Sequence, residues 1–321
     1  MPSLDRSATR NVFFVLAPNL DEIRGGICAG PTYSESDFLT MLSVLIEPSN
    51  NNNNSSSFAV YSKGSDVQVL PTANVLAHGT YVIRPSEIGA TIAISEMRYY
   101  PRTLSLQQSS AREDSFRDKV RDRDKMCVVT GTICYGAVAN EWDGFEVAHI
   151  VPLALEAVFV QDGLAMYVSD KDERGGETTG INSPQNGFLL RADLHKHFDQ
   201  YRFAINPYNG YKVYSFGLNT HAYHGLTLQA VCRDQNNQYC ISAPLLWWHF
   251  QQAVLANMRG AGAPIFEDDF PPGTDQMGEI LQGPMARQRM EFEMANRLHG
   301  VNNIGGQSRE NRRGSLFSSP S

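Results

Sequence analysis

Apolar positions recur along the 321-residue chain in two rhythms, and the changes of rhythm mark its parts. Residues 11–47 read as a strand followed by a helix, because the VFFVL run gives way to Phe38, Met41, Leu42 and Leu45 at helical spacing. Ser34 and Asp37 fit a capping box ahead of that helix. PSNNNNNSSS at 48–57 has nothing to bury and reads as an exposed flexible loop. FAVYS, VQVL, GTYVIRP and TIAISE follow, separated by Gly, Pro, Asn and Ser, so residues 58–96 predict a small antiparallel sheet. No residue cluster with obvious chemistry stands in this part, and a binding or scaffolding role is its default.

SAREDSFRDKVRDRDK at 110–125 interleaves acidic and basic residues, which suits an exposed helix laced with ion pairs and anchored by Phe116 and Val120. Its arginines Arg117, Arg121 and Arg123 read as a solvated face, with phosphate contact the weaker alternative. MCVVTGTICYGA is strand-like, punctuated by Gly131 and Gly136. FEVAHIVPLA predicts an apolar strand with His149 near its end, closed by Pro152. DKDERGGETTG reads as a surface loop. In SPQNGFLLRADLHKHFDQ, Leu190, Leu194 and Phe198 mark the buried stripe of a helix, and Asn186 beside Gly187 reads as its cap or turn. APLLWWHFQQAVLANMRGAG and MARQRMEFEMANRLHG predict two further helices joined by the acidic FEDDFPPGTD, and the tail from Asn302 reads as disordered. Trp247, Trp248 and His249 look like a packing cluster. The chain has no internal repeat.

Composition narrows the class. Hydrophobic residues make up 42% and charged residues 19%, ordinary values for a globular chain with a packed core. No segment reaches the roughly 18 uninterrupted apolar residues of a membrane helix. The Val12–Pro18 run is short and lacks a small-residue cleavage site, so it reads as a buried strand and not as a signal peptide. Five cysteines without a CxxC pair argue against a disulfide framework and against a thiolate zinc site built from Cys127, Cys134, Cys232 and Cys240. A reduced intracellular location, cytoplasmic or nuclear, is the expectation. His221 and His224 lack the further ligands of a second metal site. The net charge of −7 argues against tight non-specific binding to nucleic acid, although it leaves room for a local basic surface.

The stretch 126–217 carries the chemistry. A strand-end histidine beside a helix bearing further polar groups suits metal-assisted phosphodiester hydrolysis, in which a divalent ion neutralises phosphate charge and an imidazole activates water. Two helix pairs at i, i+4 could each grip an ion, His195 with Asp199 or Asp193 with His197, and spacing alone does not choose between them.

CVVTG, AHIVPLA, and NGFLLRADLHKHFD followed by FAI occur in that order over residues 126–205. This stretch resembles an HNH endonuclease domain of the ββα-metal type, in the variant common in fungal proteins. The resemblance implies that His149 is the general base, that Asn186 fixes the loop positioning it, and that His195, nine residues after Asn186, binds the metal. It implies Asp199 as a second ligand and leaves His197 structural or exposed. The implied cofactor is a divalent ion, Mg²⁺ first, and the implied partner is nucleic acid, DNA first. Two features depart from the family pattern. Ala148 stands where many members carry a ligating Asp, with Glu146 on the same strand face as a substitute. The segment between His149 and Asn186 is also long. The expected organisation is α+β: a β-rich N-terminal domain over 1–105, an HNH nuclease-like domain over 106–216, a helical C-terminal extension over 217–300 and a disordered tail over 301–321. Two other readings stand beside the nuclease: a degenerate HNH fold that binds nucleic acid or protein without cutting, and an interaction protein in which that fold is a spacer.

Overall fold

VFFVL forms the first strand, β1 (Val12–Leu16), and the chain turns straight back into β2 (Asn19–Ile27). Helix α1 (Glu35–Leu45) runs directly into β3 (Ile46–Ser49), and β4 (Phe58–Ser62), β5 (Gly79–Pro85) and β6 (Thr91–Ile94) follow. The computed structural model describes residues 6–49, 57–100, 111–170 and 179–262, with Gly278 and Leu281. The expected helix at MARQRMEFEMANRLHG, the FEDDFPPGTD connection, the tail, and most of the Asn tract and of DKDERGGETTG lie outside the described residues. The chain divides into two units, Leu4–Ile265 and Met1–Ser3 with Phe266–Ser321; in the second only Gly278 and Leu281 are described.

The first sheet has the order β2-β1-β5-β4. It is mixed, and so corrects the antiparallel sheet expected for 58–96: β1 pairs with β5 in parallel, while β3 and β6 form a separate antiparallel pair. A parallel partner needs a long crossover, which α1 and β4 supply. VQVL is not a strand. Gln68 makes one bridge to Tyr61, and Val67 and Leu70 stay 64% and 52% exposed. NLDEIRGGI is a strand despite its polar sequence, because it is an edge whose outer half is exposed. Its Gly25 is forced: a Cβ there would lie 2.1 Å from the Met258 carbonyl oxygen and 2.5 Å from the Phe14 ring.

The capping box on α1 forms. Ser34 Oγ accepts from the Asp37 backbone N–H, and the Asp37 carboxylate accepts from the Ser34 backbone N–H. Phe38, Met41, Leu42 and Leu45 face the core. Asp37 reaches further, accepting from Lys212 Nζ at 2.6 Å and from His224 Nε2 at 3.1 Å. Burial alone would raise the Asp37 pKa, but His224, Lys212 and Ser34 overcome it and hold the carboxyl well below its usual range. Burial pushes the His224 imidazole down, against the pull of Asp37. The unfolded chain takes up that histidine's proton near pH ~6.5, and the folded chain only at lower pH. Stability from His224 is therefore fully present above that value and lost as pH falls through the depressed folded pKa. Calorimetric melting at mildly acidic pH is expected to give a lower Tm than at neutral pH; an unchanged Tm would contradict this.

The second part contains α2 (Ala111–Asp124), β7 (Phe145–His149), α3 (Glu156–Gln161), β8 (Gly187–Arg191), α4 (Ala192–Asp199), β9 (Phe203–Asn206), β10 (Lys212–Ser215) and α5 (Ala243–Met258). The hairpin of β7 and β8 lies between two helices. Phe116 and Val120 of α2 pack with Leu189, Phe145 and Val147, and Leu194 and Phe198 of α4 share a core with Ala148, Phe188 and Leu190. Helix α5 is apolar nearly all round because it crosses both cores. Leu245, Leu246 and Trp248 belong to the core around α4, and Phe250, Val254, Leu255 and Met258 to the core of the first sheet. His249 is fully buried and stacks on Phe198 at 3.8 Å. The α+β class stands. All five cysteines are free, and no described helix is long and apolar enough to cross a membrane.

Candidate active site

Strands β7 and β8 pair antiparallel from Phe145↔Arg191 to His149↔Gly187. This corrects the reading of SPQNGFLLRADLHKHFDQ as one helix. GFLLR is a strand, α4 begins at Ala192, and Leu190 belongs to the strand while Leu194 and Phe198 keep their helical spacing. Because β8 is buried on both faces, its apolar residues run without alternation, and a short run of that kind does not distinguish strand from helix. MCVVTGTICYGA is likewise no strand. It folds into a turn closed by Gly131 N–H to Cys127 O (2.8 Å), with Gly131 at φ +72°, and then a 3-10 turn over Tyr135–Ala139.

His149 ends β7 half-buried. Its ring stacks on Phe116 of α2 with centroids 4.1 Å apart, and Nε2 donates to Asn182 Oδ1 at 3.2 Å. The stack is possible because Gly187 opposite has no side chain: a Cβ there would sit 2.5 Å from the Phe116 ring. Asn186 is fully buried in the 3-10 turn Pro184–Asn186 ahead of β8, so it caps no helix; the residue at the α4 N-cap is Arg191. Asn186 Oδ1 accepts from Val151 N–H at 2.9 Å, and Nδ2 donates to the carbonyls of Val151 (2.9 Å) and Ile181 (2.8 Å). Its own carbonyl accepts from Ile150 N–H at 2.8 Å. The two residues that follow His149 are thus tied to Asn186.

On α4, His195 and Asp199 face the same side. His195 Nε2 lies 3.3 Å from Asp199 Oδ2, and Nδ1 lies 2.7 Å from Glu146 Oε2. The hydrogen bond from His195 outweighs partial burial and lowers the Glu146 pKa. Glu146 thus sits on the ring nitrogen of His195 that does not face Asp199. The rival pair is engaged elsewhere: Asp193 pairs with Arg191 at 3.0 Å, and burial, with Arg202, holds the His197 pKa below the usual imidazole value against the pull of Asp193. Neither lines the cleft of about 310 Å³ into which His149, His195, Asp199, Glu146, Arg117 and Arg121 open.

Among the described residues, no group of three or more His, Cys, Asp or Glu is arranged to hold a metal ion. The His195–Asp199 pair supplies two donors. Two ligands at adjacent corners of an octahedron with bonds of about 2.1 Å stand about 3 Å apart, close to this pair's separation. A carboxylate on the other ring nitrogen is the usual partner of a ligating imidazole. His195 and Asp199 are therefore residues that would suit a divalent ion, with Glu146 as the partner of the imidazole. His221 and His224 make separate contacts, to the Cys28 carbonyl at 3.2 Å and to Asp37.

A family model described as HNH endonuclease matches residues 127–206. The chain carries an HNH domain. No curated protein and no solved structure matches the chain. The domain brings a nuclease-type or nucleic-acid-binding function with it. One wall of its cleft lies outside the matched stretch: α2 precedes residue 127, yet it supplies Phe116, Arg117 and Arg121. Not all of the α2 arginines face that cleft. Arg123, considered above for a solvated face, is buried, bonds Asp124 at 2.6 and 2.9 Å, and donates to the carbonyls of Pro184, Gly187 and Tyr239. Sequence reasoning missed Asn182, Phe116 and the place of Glu146. The only signal for Phe116 was its role as a helix anchor.

Proposed function

We propose that the HNH domain hydrolyses phosphodiester bonds of nucleic acid, DNA foremost, with a divalent metal ion. What carries the reading is that His149, His195 and Asp199 line one cleft of a domain matched to HNH endonucleases. His149 takes a proton from the attacking water, a task suited to an imidazole near neutral pH. Asn182 accepts from Nε2 and so fixes the tautomer in which Nδ1 is basic. Asn186 holds the segment behind the base, His195 and Asp199 would hold the ion, and Glu146 orients His195. When bound, the ion neutralises charge on the phosphate and on the leaving oxygen. Mg²⁺ is the first expectation, and an imidazole donor also suits Mn²⁺ or Zn²⁺. The flanking regions, a β-rich part over 1–105 and the chain from 217 on, act as scaffold through α5 and the Asp37 contacts.

Supercoiled plasmid is expected to be nicked with added Mg²⁺ or Mn²⁺ and spared with EDTA, and His195→Ala is expected to lose both nicking and saturable metal binding by calorimetry. Metal-independent nicking would sink the mechanism. Ala148 and the two-donor set favour a second reading, an HNH fold that binds without cutting. Nucleic-acid binding with no saturable uptake of metal would select it.

A further inference from the structure

Of the arginines on α2 described above, two are already satisfied within the protein. Arg117 bonds Glu113 at 2.6 Å and Asp114 at 3.0 Å, and Arg123 is buried against Asp124 and three carbonyls. Arg121 differs. Among the described residues it has no ion-pair partner, and its Nε is enclosed without a hydrogen bond. A guanidinium carries five N–H donors in a planar fork, and leaving the enclosed Nε–H unused is unfavourable unless an acceptor arrives. The fork is nevertheless held in place. It lies over the Trp142 ring, 5.0 Å from its centroid, and Trp142 is fixed in turn by donating from Nε1 to Asn140 Oδ1 at 2.7 Å. Arg121 lines the same cleft as His149 and His195.

We infer that Arg121, oriented by Trp142, binds a backbone phosphate of the strand that occupies the His149 cleft. This rests on the nuclease reading and adds to it a substrate contact from outside the matched HNH stretch. The chemistry selects the ligand class: the planar fork matches two oxygens of one phosphodiester. Glu113 already neutralises Arg117, and Glu146 and Asp199 flank His195. The cleft lining sets two arginines against three carboxylates, and with Arg117 paired to Glu113, Arg121 is the arginine there left to meet a phosphate.

The test is binding, separated from cleavage. In a full-length His149→Ala background, affinity for a fluorescent DNA duplex is measured by anisotropy over a series of salt concentrations. Adding Arg121→Gln is expected to weaken binding about 10-fold or more and to reduce the slope of log K against log salt by nearly one. Arg121→Lys keeps the charge but not the fork, so it is expected to keep the slope and lose part of the affinity. Arg117→Gln is expected to change both far less. Because Arg121 has no ion-pair partner in the described protein, these variants are expected to melt close to the background. If the background binds and Arg121→Gln matches it in affinity and slope, the inference is wrong and the nuclease reading stands. Weaker binding with an unchanged slope assigns Arg121 to packing and also overturns the inference. If the background binds no duplex at any salt, the nucleic-acid reading falls and the inference with it.

Discussion

His149→Ala is expected to slow metal-dependent plasmid nicking by a factor of roughly 10²–10⁴, the range for losing a positioned general base. The protein is expected to remain folded. The substitution removes one half-buried ring and its stack on Phe116, worth about 1 kcal/mol beyond the area lost. It also removes the hydrogen bond from His149 Nε2 to Asn182 Oδ1. Metal affinity is expected to persist, because His195 and Asp199 are untouched. Nicking at the wild-type rate by a folded His149→Ala protein would remove His149 from the chemistry, whatever the family pattern implies.

Asn186→Ala is expected to be the most destabilising single change at the site, by about 3–5 kcal/mol, a large part of the ~5–15 kcal/mol that holds a folded domain. The side chain is fully buried and makes three hydrogen bonds, all to backbone groups. Alanine leaves the Val151 N–H and the carbonyls of Val151 and Ile181 without this partner, away from bulk water. Asn186→Asp is no remedy, because it turns a carboxylate toward two carbonyl oxygens. Urea denaturation measures the effect, and a loss under about 1 kcal/mol would refute it. At temperatures where the variant is still folded, nicking is expected to fall too, since Ile150 and Val151, directly behind His149, lose their side-chain tether. This separates Asn186 from a helix cap, whose removal costs about 1 kcal/mol and leaves a remote site unaffected.

The parts of this molecule that were legible in the sequence are those fixed by near neighbours. The Ser34–Asp37 box, the Phe116 and Val120 anchors of α2 and the apolar helix α5 each depend on residues three or four apart, so local pattern sufficed. The nine-residue step from Asn186 to His195 was visible as well, although the helix taken to span it is a strand end followed by a shorter helix. What could not be read depends on distant pairing. Strand β2 is polar because its outer half has no inner face, and β8 lacks alternation because both its faces are covered. Asn182 meets His149 across 33 residues, and Glu146 meets His195 across 49. Glu146 was picked out by strand alternation as a stand-in ligand. Alternation gives the side of a strand, and the approach of α4 decides which nitrogen the carboxylate reaches. The α2 arginines divide along the same line: Arg117 pairs with Glu113 and Asp114 one turn back on its own helix, whereas the Trp142 ring under Arg121 and the carbonyls of Pro184, Gly187 and Tyr239 around Arg123 come from distant segments.

Helix α5 has one end in each apolar interior. Neither lobe owns it, and neither can keep its heart when the helix is removed. Heating is therefore expected to melt both lobes together, and cutting out residues 127–206 alone would strip the β7–β8 hairpin of its keel. Any transplant of this nuclease-like segment into another protein must bring along a helix that begins 37 residues after the matched stretch ends.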